Sequence, residues 1–336
     1  MSGWRRLVAA AAALLAACGA PAPPVQEADV TLPDGARLHY RVVGAGPDTV
    51  LVLPGGPAFG GAYLEPLVAP LADRHAFVIP DLRGRGASDT MPTAPWSITT
   101  VTDAADALAL TRALRLGRHA IVSHHYGSTI ATALARADSS VTRVAMLAPY
   151  PLRDLYVYDL ASEGIDSALR LRNAGDARAG LAQRDPVAYC RRYWTLHLRP
   201  LEDPRPRTIA ALAEPLCAAS AVHLAGWSRM KQYVHPVQWD FRDSVRAVRQ
   251  PVLVLQGRGD GSRPAEGIAG FWARVVSALP PEGRYLELPG SPLFPWVEER
   301  RAATAALGAF LAGGWPADAA RLPLAESRDS VVPGGR

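Results

Sequence analysis

One short stretch of this chain is laid out to present a side chain for chemistry. Ile121-Val122-Ser123-His124-His125-Tyr126-Gly127-Ser128 runs from an apolar segment, His119 to Val122, into the small-residue run Thr129 to Ala135. The pattern reads as a buried strand, a sharp turn and a helix whose near face is Gly, Ser and Ala, small enough for helix and strand to approach closely. A turn of this kind lifts its central residue above the sheet, and the central residue here is His125. An imidazole there could act as a nucleophile or as a base on water. The bland alternative is that His tolerates the strained backbone of such a turn better than most residues do. Ser123 falls on the strand end and Ser128 one residue into the helix, so neither reaches the tip without breaking the turn. His124 and His125 do not read as a metal pair: adjacent residues on a turn point apart, and no third ligand suggests itself. No metal and no cofactor are expected.

The elements that must position this turn follow from the rest of the pattern. Asp29 to Leu32 and Ala36 to Val43 read as a hairpin around Pro33-Asp34-Gly35. Thr49 to Leu53 is apolar throughout, as in a strand buried on both faces, and runs into Pro54-Gly55-Gly56-Pro57-Ala58. Tyr63, Leu64, Leu67, Val68 and Leu71 have helical spacing, and Ala76 to Ile79 is the next strand. Ser97 is expected to cap a helix through Leu116, with Asp103 and Asp106 on its polar face and Gly117 at its end. After the turn come a strand at Val144 to Leu147, a strand-free helical stretch, a strand at Pro251 to Gly257, a last strand at Arg284 to Leu288 and a last helix at Trp296 to Leu311. Strands alternating with helices predict the α/β class, a doubly wound and mostly parallel sheet with an inserted helical cap.

Four stretches together resemble the α/β-hydrolase superfamily, and within it the prolyl iminopeptidase-like branch. Pro54-Gly55-Gly56-Pro57-Ala58 resembles that branch's His-Gly-Gly-Pro-Gly oxyanion loop, and Asp81-Leu82-Arg83-Gly84-Arg85-Gly86-Ala87-Ser88 its Asp-Gln-Arg-Gly-x-Gly-x-Ser loop. Gly257-Arg258-Gly259-Asp260 resembles the acid loop, and Leu288 to Trp296 the base loop, which in the branch reads Gly-Ser-Gly-His-Phe-Pro-Trp. The turn at Ser123 to Gly127 corresponds to the Gly-x-Ser-x-Gly elbow. The resemblance implies a nucleophile, acid and base at His125, Asp260 and Leu293, of which only Asp260 is of the expected type. It places the oxyanion donors at the backbone of Gly56 and Tyr126, and the Asp81 to Ser88 loop as packing beside the site. A serine hydroxyl needs a base, and Leu293 cannot accept a proton. Losing even one member of such a unit removes nearly all of its contribution.

Composition sets the remaining bounds. The chain has 336 residues, 49% hydrophobic and 20% charged, which suits one large globular domain with an insertion. The formal net charge is +5, but Lys231 is the single lysine and the arginines are spread without a basic run, which argues against nucleic-acid binding. Residues 1–17 read as an export signal: Trp4-Arg5-Arg6, then an apolar run from Leu7 to Ala17 well short of the roughly 20 residues a spanning helix needs. Leu15-Ala16-Ala17-Cys18 resembles the bacterial lipobox, which implies acylation of Cys18 and a lipid-anchored, extracytoplasmic protein. The expected organisation is a spacer over 18–28, core over 29–149, cap over 150–237, core over 238–312 and a loose tail over 313–336. Cys190 and Cys217 fall in the cap, and in an exported protein they are expected to bridge, closing a loop worth roughly 3 kcal/mol. The alternative is two buried thiols.

Two functions of different class are consistent with these residues. One is a lipid-anchored binding protein on an inactive hydrolase scaffold, holding a small molecule or peptide under the cap. The other is a hydrolase of aminopeptidase or esterase type that uses His125, or a base donated from the cap such as His223 or His235. The anchor has a direct test: the wild type should partition into detergent, and Cys18→Ser should be soluble or unprocessed. Equal partitioning of the two forms removes the lipobox reading.

Overall fold

The computed structural model describes residues 23–55, 59–89, 99–149, 167–201, 216–217, 242–257, 280, 282–289 and 294–320. Its centre is an eight-stranded sheet. The strands are β1 Val25–Thr31, β2 Arg37–Val43, β3 Asp48–Leu53, β4 His75–Pro80, β5 His119–His124, β6 Val141–Leu147, β7 Val252–Gly257 and β8 Gly283–Leu288. They lie in the order β1-β2-β4-β3-β5-β6-β7-β8. The β1–β2 and β2–β4 pairs are antiparallel, and every pair from β4–β3 to β7–β8 is parallel. The fold is therefore the α/β arrangement expected from the alternation of strands and helices.

The helices follow the same chain order. They are α1 Glu65–Val68, flanked by 3-10 turns at Ala62–Leu64 and Ala69–Leu71, then α2 Thr100–Ala113 and α3 Gly127–Ala137. Between β6 and β7 stand α4 Ser167–Arg178, α5 Leu181–Arg184, α6 Pro186–Leu201 and α7 Arg242–Arg246. After β8 come α8 Pro295–Glu298 and α9 Arg300–Leu311. Among the described residues no helix is long and apolar enough to cross a membrane.

The central strands are buried on both faces, and their alternation divides the core in two. Val50, Val52, Val122, Leu147 and Leu255 face one cluster together with Leu67, Leu307 and Phe310. Leu51, Leu53, Ile121, Met146 and Val254 face the other, with Leu110, Ile130 and Leu134. A two-residue period covered by helices on each face produces this division.

Several boundaries differ from the sequence reading. Strand β1 begins at Val25, inside the stretch read as spacer, and pairs with β2 along its whole length although all its residues but Val30 are exposed. Backbone pairing makes this strand, and no burial pattern marks it. Its outer position is guarded by charge, with Glu27 held to Arg41 and Asp29 to Arg37. Ser97 lies outside the described residues; the cap of α2 is Thr99, whose Oγ1 accepts from the Thr102 N–H at 3.2 Å. That helix ends at Ala113 and not at Leu116, because Arg115 and Gly117 turn to φ 52° and 62°. The last helix is interrupted at Glu299, giving α8 and α9. The chain also stays packed from Gly313 to Ala320, whereas the rest of the segment read as a loose tail, 321–336, lies outside the described residues. Ala320 bridges Tyr285 on the β8 edge, Arg284 lies over the Trp315 ring, and Ala319 is buried. This contact with an open sheet edge is what the polar composition of the segment hid.

The largest correction concerns α2. The sequence pattern puts Asp103 and Asp106 on its polar face, and that face is turned inward, with both residues buried. Arg85, 1% exposed, grips Asp103 with two bonds of 2.6 and 2.8 Å, and Arg83 grips Asp106 with bonds of 2.7 and 2.8 Å. Tyr126 Oη adds a third donor to Asp103 at 2.6 Å. Burial, with the Asp103 charge beside it, pushes the Tyr126 phenol well above its ordinary value, so it keeps the proton it donates. Asp103→Ala should leave Arg85 as an uncompensated buried charge and cost about 3–5 kcal/mol of folding stability, measured by urea denaturation.

Candidate functional site

In a sheet of this kind ligands bind beyond the carboxyl ends of the parallel strands. Here β3, β4, β5, β6, β7 and β8 all end on one edge of the sheet. The pairings Leu53 with Ser123, His124 with Leu147, and Gly257 with Leu288 bring their exits level. His125 is the first residue past β5, partly exposed, with φ +46°. Such a value is uncommon for a residue with a Cβ and marks the sharp turn expected there. Its N–H donates to Leu147 O at 3.0 Å, and its carbonyl accepts from the Ser128 N–H at 2.9 Å, which starts α3. The turn is thus held from both sides.

Two glycines set how tightly it packs. A Cβ on Gly127 would stand 2.6 Å from Leu53 O and 2.8 Å from Pro54 O, so α3 leaves the turn directly against the exit of β3. A Cβ on Gly55 would fall on the His124 ring. The Pro54-Gly55 segment and the turn are therefore in contact, and only glycine permits it.

The serines on either side are out of play. Ser123 is fully buried on β5, where its Oγ donates to Ala145 O at 3.2 Å. Ser128 is fully buried within α3. Only His125 occupies the tip. Tyr126 follows with helical dihedrals, and its side chain is committed to Asp103. The other residues assigned to the site, Gly56, Asp260 and Leu293, lie outside the described residues, as do Cys18, His223 and His235. The strands that carry two of these loops do end at this edge, at Gly257 and Leu288. Among the described residues no three of His, Cys, Asp and Glu gather as metal ligands.

Beneath the tip is a feature that sequence reasoning missed. His124 is fully buried, and its Nδ1 lies 2.6 Å from Tyr63 Oη. The Gly55 N–H donates to the same hydroxyl at 2.6 Å. Tyr63 keeps its proton, because burial pushes its phenol well above the ordinary value. With the Gly55 amide donating to it, that hydroxyl directs its own O–H at Nδ1 as a hydrogen-bond donor, which goes with the His124 tautomer protonated on Nε2. Rings close the remaining sides, with Phe294 at 5.1 Å and Trp296 at 4.8 Å between centroids. The Gly55 amide is consumed by this chain, so it is not a donor to the site. Tyr63 shows in the sequence only as an apolar member of a helical period, and His124 only as half of an unpromising histidine pair.

The loop after β4 also packs beside this edge. Asp81 is fully buried and accepts from the N–H groups of Gly61 at 2.6 Å and Ala87 at 2.9 Å. A Cβ on Gly86, at φ +54°, would collide with the Asp81 carboxylate. The helical insertion reaches the same core through α6: Cys190 lies in the cluster that holds Phe294 and Trp296, bonded to Cys217 with Cα atoms 5.6 Å apart.

A sheet of this order, with a strained turn between β5 and α3, defines an α/β-hydrolase architecture. The sequence profile of the alpha/beta hydrolase fold matches residues 48–291, and the chain belongs to that family. No curated protein matches the sequence. Among solved structures, it is similar to an esterase from Thermogutta terrifontis, at 19% identity over 85% of this chain and 98% of that one, with a TM-score of 0.62. It is also similar to the proline iminopeptidase of Mycobacterium smegmatis, at 22% identity over 85% and 98%, TM-score 0.59. A proline iminopeptidase-related protein from Thermus thermophilus matches at 24% identity over 86% and 98%, TM-score 0.61. At these identities the likeness is one of fold.

Tyr63→Phe tests the buried chain. It removes one oxygen and leaves both the Gly55 amide and His124 Nδ1 without their partner, so stability should fall by about 1–3 kcal/mol in denaturant unfolding. Gly55 should also lose protection against amide hydrogen exchange, which a loss of packing alone would not single out.

Proposed function

We propose that this protein is an extracytoplasmic, lipid-anchored member of the α/β-hydrolase family that has given up serine acyl transfer and binds a small molecule or peptide beneath its helical insertion. The observation that carries the reading is the occupant of the turn: His125 holds the strained tip, while Ser123 and Ser128 are buried on β5 and α3. Serine chemistry needs an activated hydroxyl at that tip. Leu293 at the base position supplies a hydrocarbon where a proton acceptor would be required. Cys18 at the end of the apolar leader supports the anchor. The similarity to esterases and proline iminopeptidases supports an acyl or peptidyl compound as the kind of ligand the scaffold accommodates.

The test is to rebuild the machinery. Wild type should not label with a fluorophosphonate probe, and its turnover of aryl esters and amino-acid arylamides should stay near background. The double substitution His125→Ser with Leu293→His restores nucleophile and base beside Asp260 and should recover labelling; either single substitution should not. Labelling of the wild type on Ser123 or Ser128 would overturn the assignment of the tip. Wild-type turnover abolished by His125→Ala would replace the binding protein with a histidine-dependent hydrolase.

A further inference from the structure

The two ends of the sheet carry different groups. The parallel strands begin level with one another: Asp48 lies beside His75, Thr49 beside His119, His119 beside Val141 and Val252 beside Gly283. This amino end stands about 20 Å from the turn at His125, by the length of strand β5. The chain enters the sheet here. Strand β1 runs antiparallel to β2 with Val25 opposite Val43, Val43 lies opposite Phe77 near the start of β4, and the Pro24 carbonyl accepts from the Gly44 N–H at 3.0 Å.

Three helices end at the same place. Leu110 of α2, Ile130 and Leu134 of α3, and Val248 just after α7 share the core cluster on one face of the sheet. The last turns of these helices and the connections that follow them carry Arg112, Arg115, Arg118, Arg136, Arg246 and Arg249, all exposed. The arginines are scattered in sequence, and only the common ending of three helices gathers them into a rim. Acidic side chains on this rim are Asp138 and Asp243. Asp243 is held by Arg246 at 3.3 Å, and Asp138 accepts from the Ser140 N–H and hydroxyl at 2.9 and 2.6 Å. Asp48, Asp73 and Glu282 stand elsewhere along the same end, with Arg74 at 3.9 Å from Asp73.

The protein itself uses little of this positive charge. Arg136 donates to Ser244 Oγ at 3.2 Å, but the guanidiniums of Arg112, Arg115, Arg118 and Arg249 have no hydrogen-bond or ion-pair partner among the described residues. Nor are they needed as helix caps. The carbonyls of Leu110, Thr111, Arg112, Leu134, Asp243 and Val245 accept from backbone N–H groups, and that of Ala135 from Gln250.

The position of Cys18 says what this rim meets. Six residues, Gly19 to Pro24, separate Cys18 from β1. Fully extended they reach no further than about 25 Å, so an acyl chain on Cys18 holds this end of the sheet within that distance of a bilayer. Arginines in one plane suit a surface of lipid phosphates, which needs no pocket and acts on each charge within a Debye length of about 8 Å.

We propose that the amino end of the sheet docks on anionic phospholipid through this arginine rim, so that the edge carrying His125 faces away from the bilayer and takes its ligand from the aqueous side. The orientation rests on the reading of Cys18 as a lipid anchor; the charge of the rim does not.

The full chain carrying Cys18→Ser, which has no acylation site, isolates the rim. In vesicle sedimentation it should bind an equal mixture of phosphatidylglycerol and phosphatidylcholine at least tenfold more tightly than phosphatidylcholine alone, and added salt should remove the difference. Arg112→Gln, Arg115→Gln, Arg118→Gln and Arg249→Gln, introduced together in that background, should weaken binding to the anionic vesicles at least tenfold. These side chains are exposed, so the variant should melt like its parent. A control quartet of exposed arginines from α4 and α9, Arg172→Gln, Arg178→Gln, Arg300→Gln and Arg301→Gln, should leave binding unchanged. Equal binding to the two vesicle types, or an equal loss in the two quartets, would overturn the docking face. Detergent partitioning of the wild type judges the anchor separately, so a failed anchor and a failed rim appear in different assays.

Discussion

The contact on which this site depends is the approach of α3 to the exit of β3 at Gly127. Leu53 and Pro54 carbonyls stand where any Cβ would have to go, so the helix can leave the turn only at this distance. That distance forces His125 to φ +46° and lifts it over the carboxyl edge of the sheet. The same closeness brings Gly55 against the His124 ring, and the Gly55 amide and His124 then share one phenolic hydroxyl. These features rest on the missing side chains at two positions, Gly127 and Gly55. None depends on which residue stands at the tip.

Around this contact the protein puts polar groups into its interior in satisfied sets. Asp103 takes two bonds from Arg85 and one from Tyr126, the residue next to the tip. Asp81 takes backbone donors from Gly61 and Ala87, and Arg41 approaches it at 3.4 Å. Buried ion pairs are a poor source of net stability, because desolvation offsets the attraction, but breaking one is costly. Their effect here is to fix the α2 face and the β4 exit against the turn, so that the edge carrying His125 has few alternative packings. Satisfaction is not complete: Ser128 Oγ, His75 Nδ1 and His119 Nε2 are buried without a hydrogen-bond partner among the described residues.

Much of the fold was legible in the residues. The apolar runs at Thr49 to Leu53 and Val252 to Leu255 could only be strands buried on both faces, and the alternation with helical periods pointed to the α/β class. The frame of the turn was legible as well, because Gly127 and the small residues after it state how close helix and strand must come. The identity of the tip followed from counting. Where the signal was weak, the structure departs from the pattern. Strand β1 carries no burial pattern, since backbone bonds and surface ion pairs to β2 hold it, and the segment after Gly313 looks polar although Ala319 and Trp315 lie on the body.

What the sequence determined by itself is therefore local: element type from periodicity, backbone conformation from glycine, and the residue displayed at the turn from its place in the frame. What only the tertiary structure decided is the state of each polar side chain. Asp103 reads as a solvated helix residue until Arg85, eighteen positions away, is folded onto it. Tyr63 reads as packing until it is set between Gly55 and His124, sixty-one positions on. His119 reads as the start of a strand until its ring is found with one nitrogen bonded and the other without a partner among the described residues. Periodicity reports the average burial of a face, whereas a hydrogen bond needs a partner at one distance and angle. That partner is chosen by how distant segments meet.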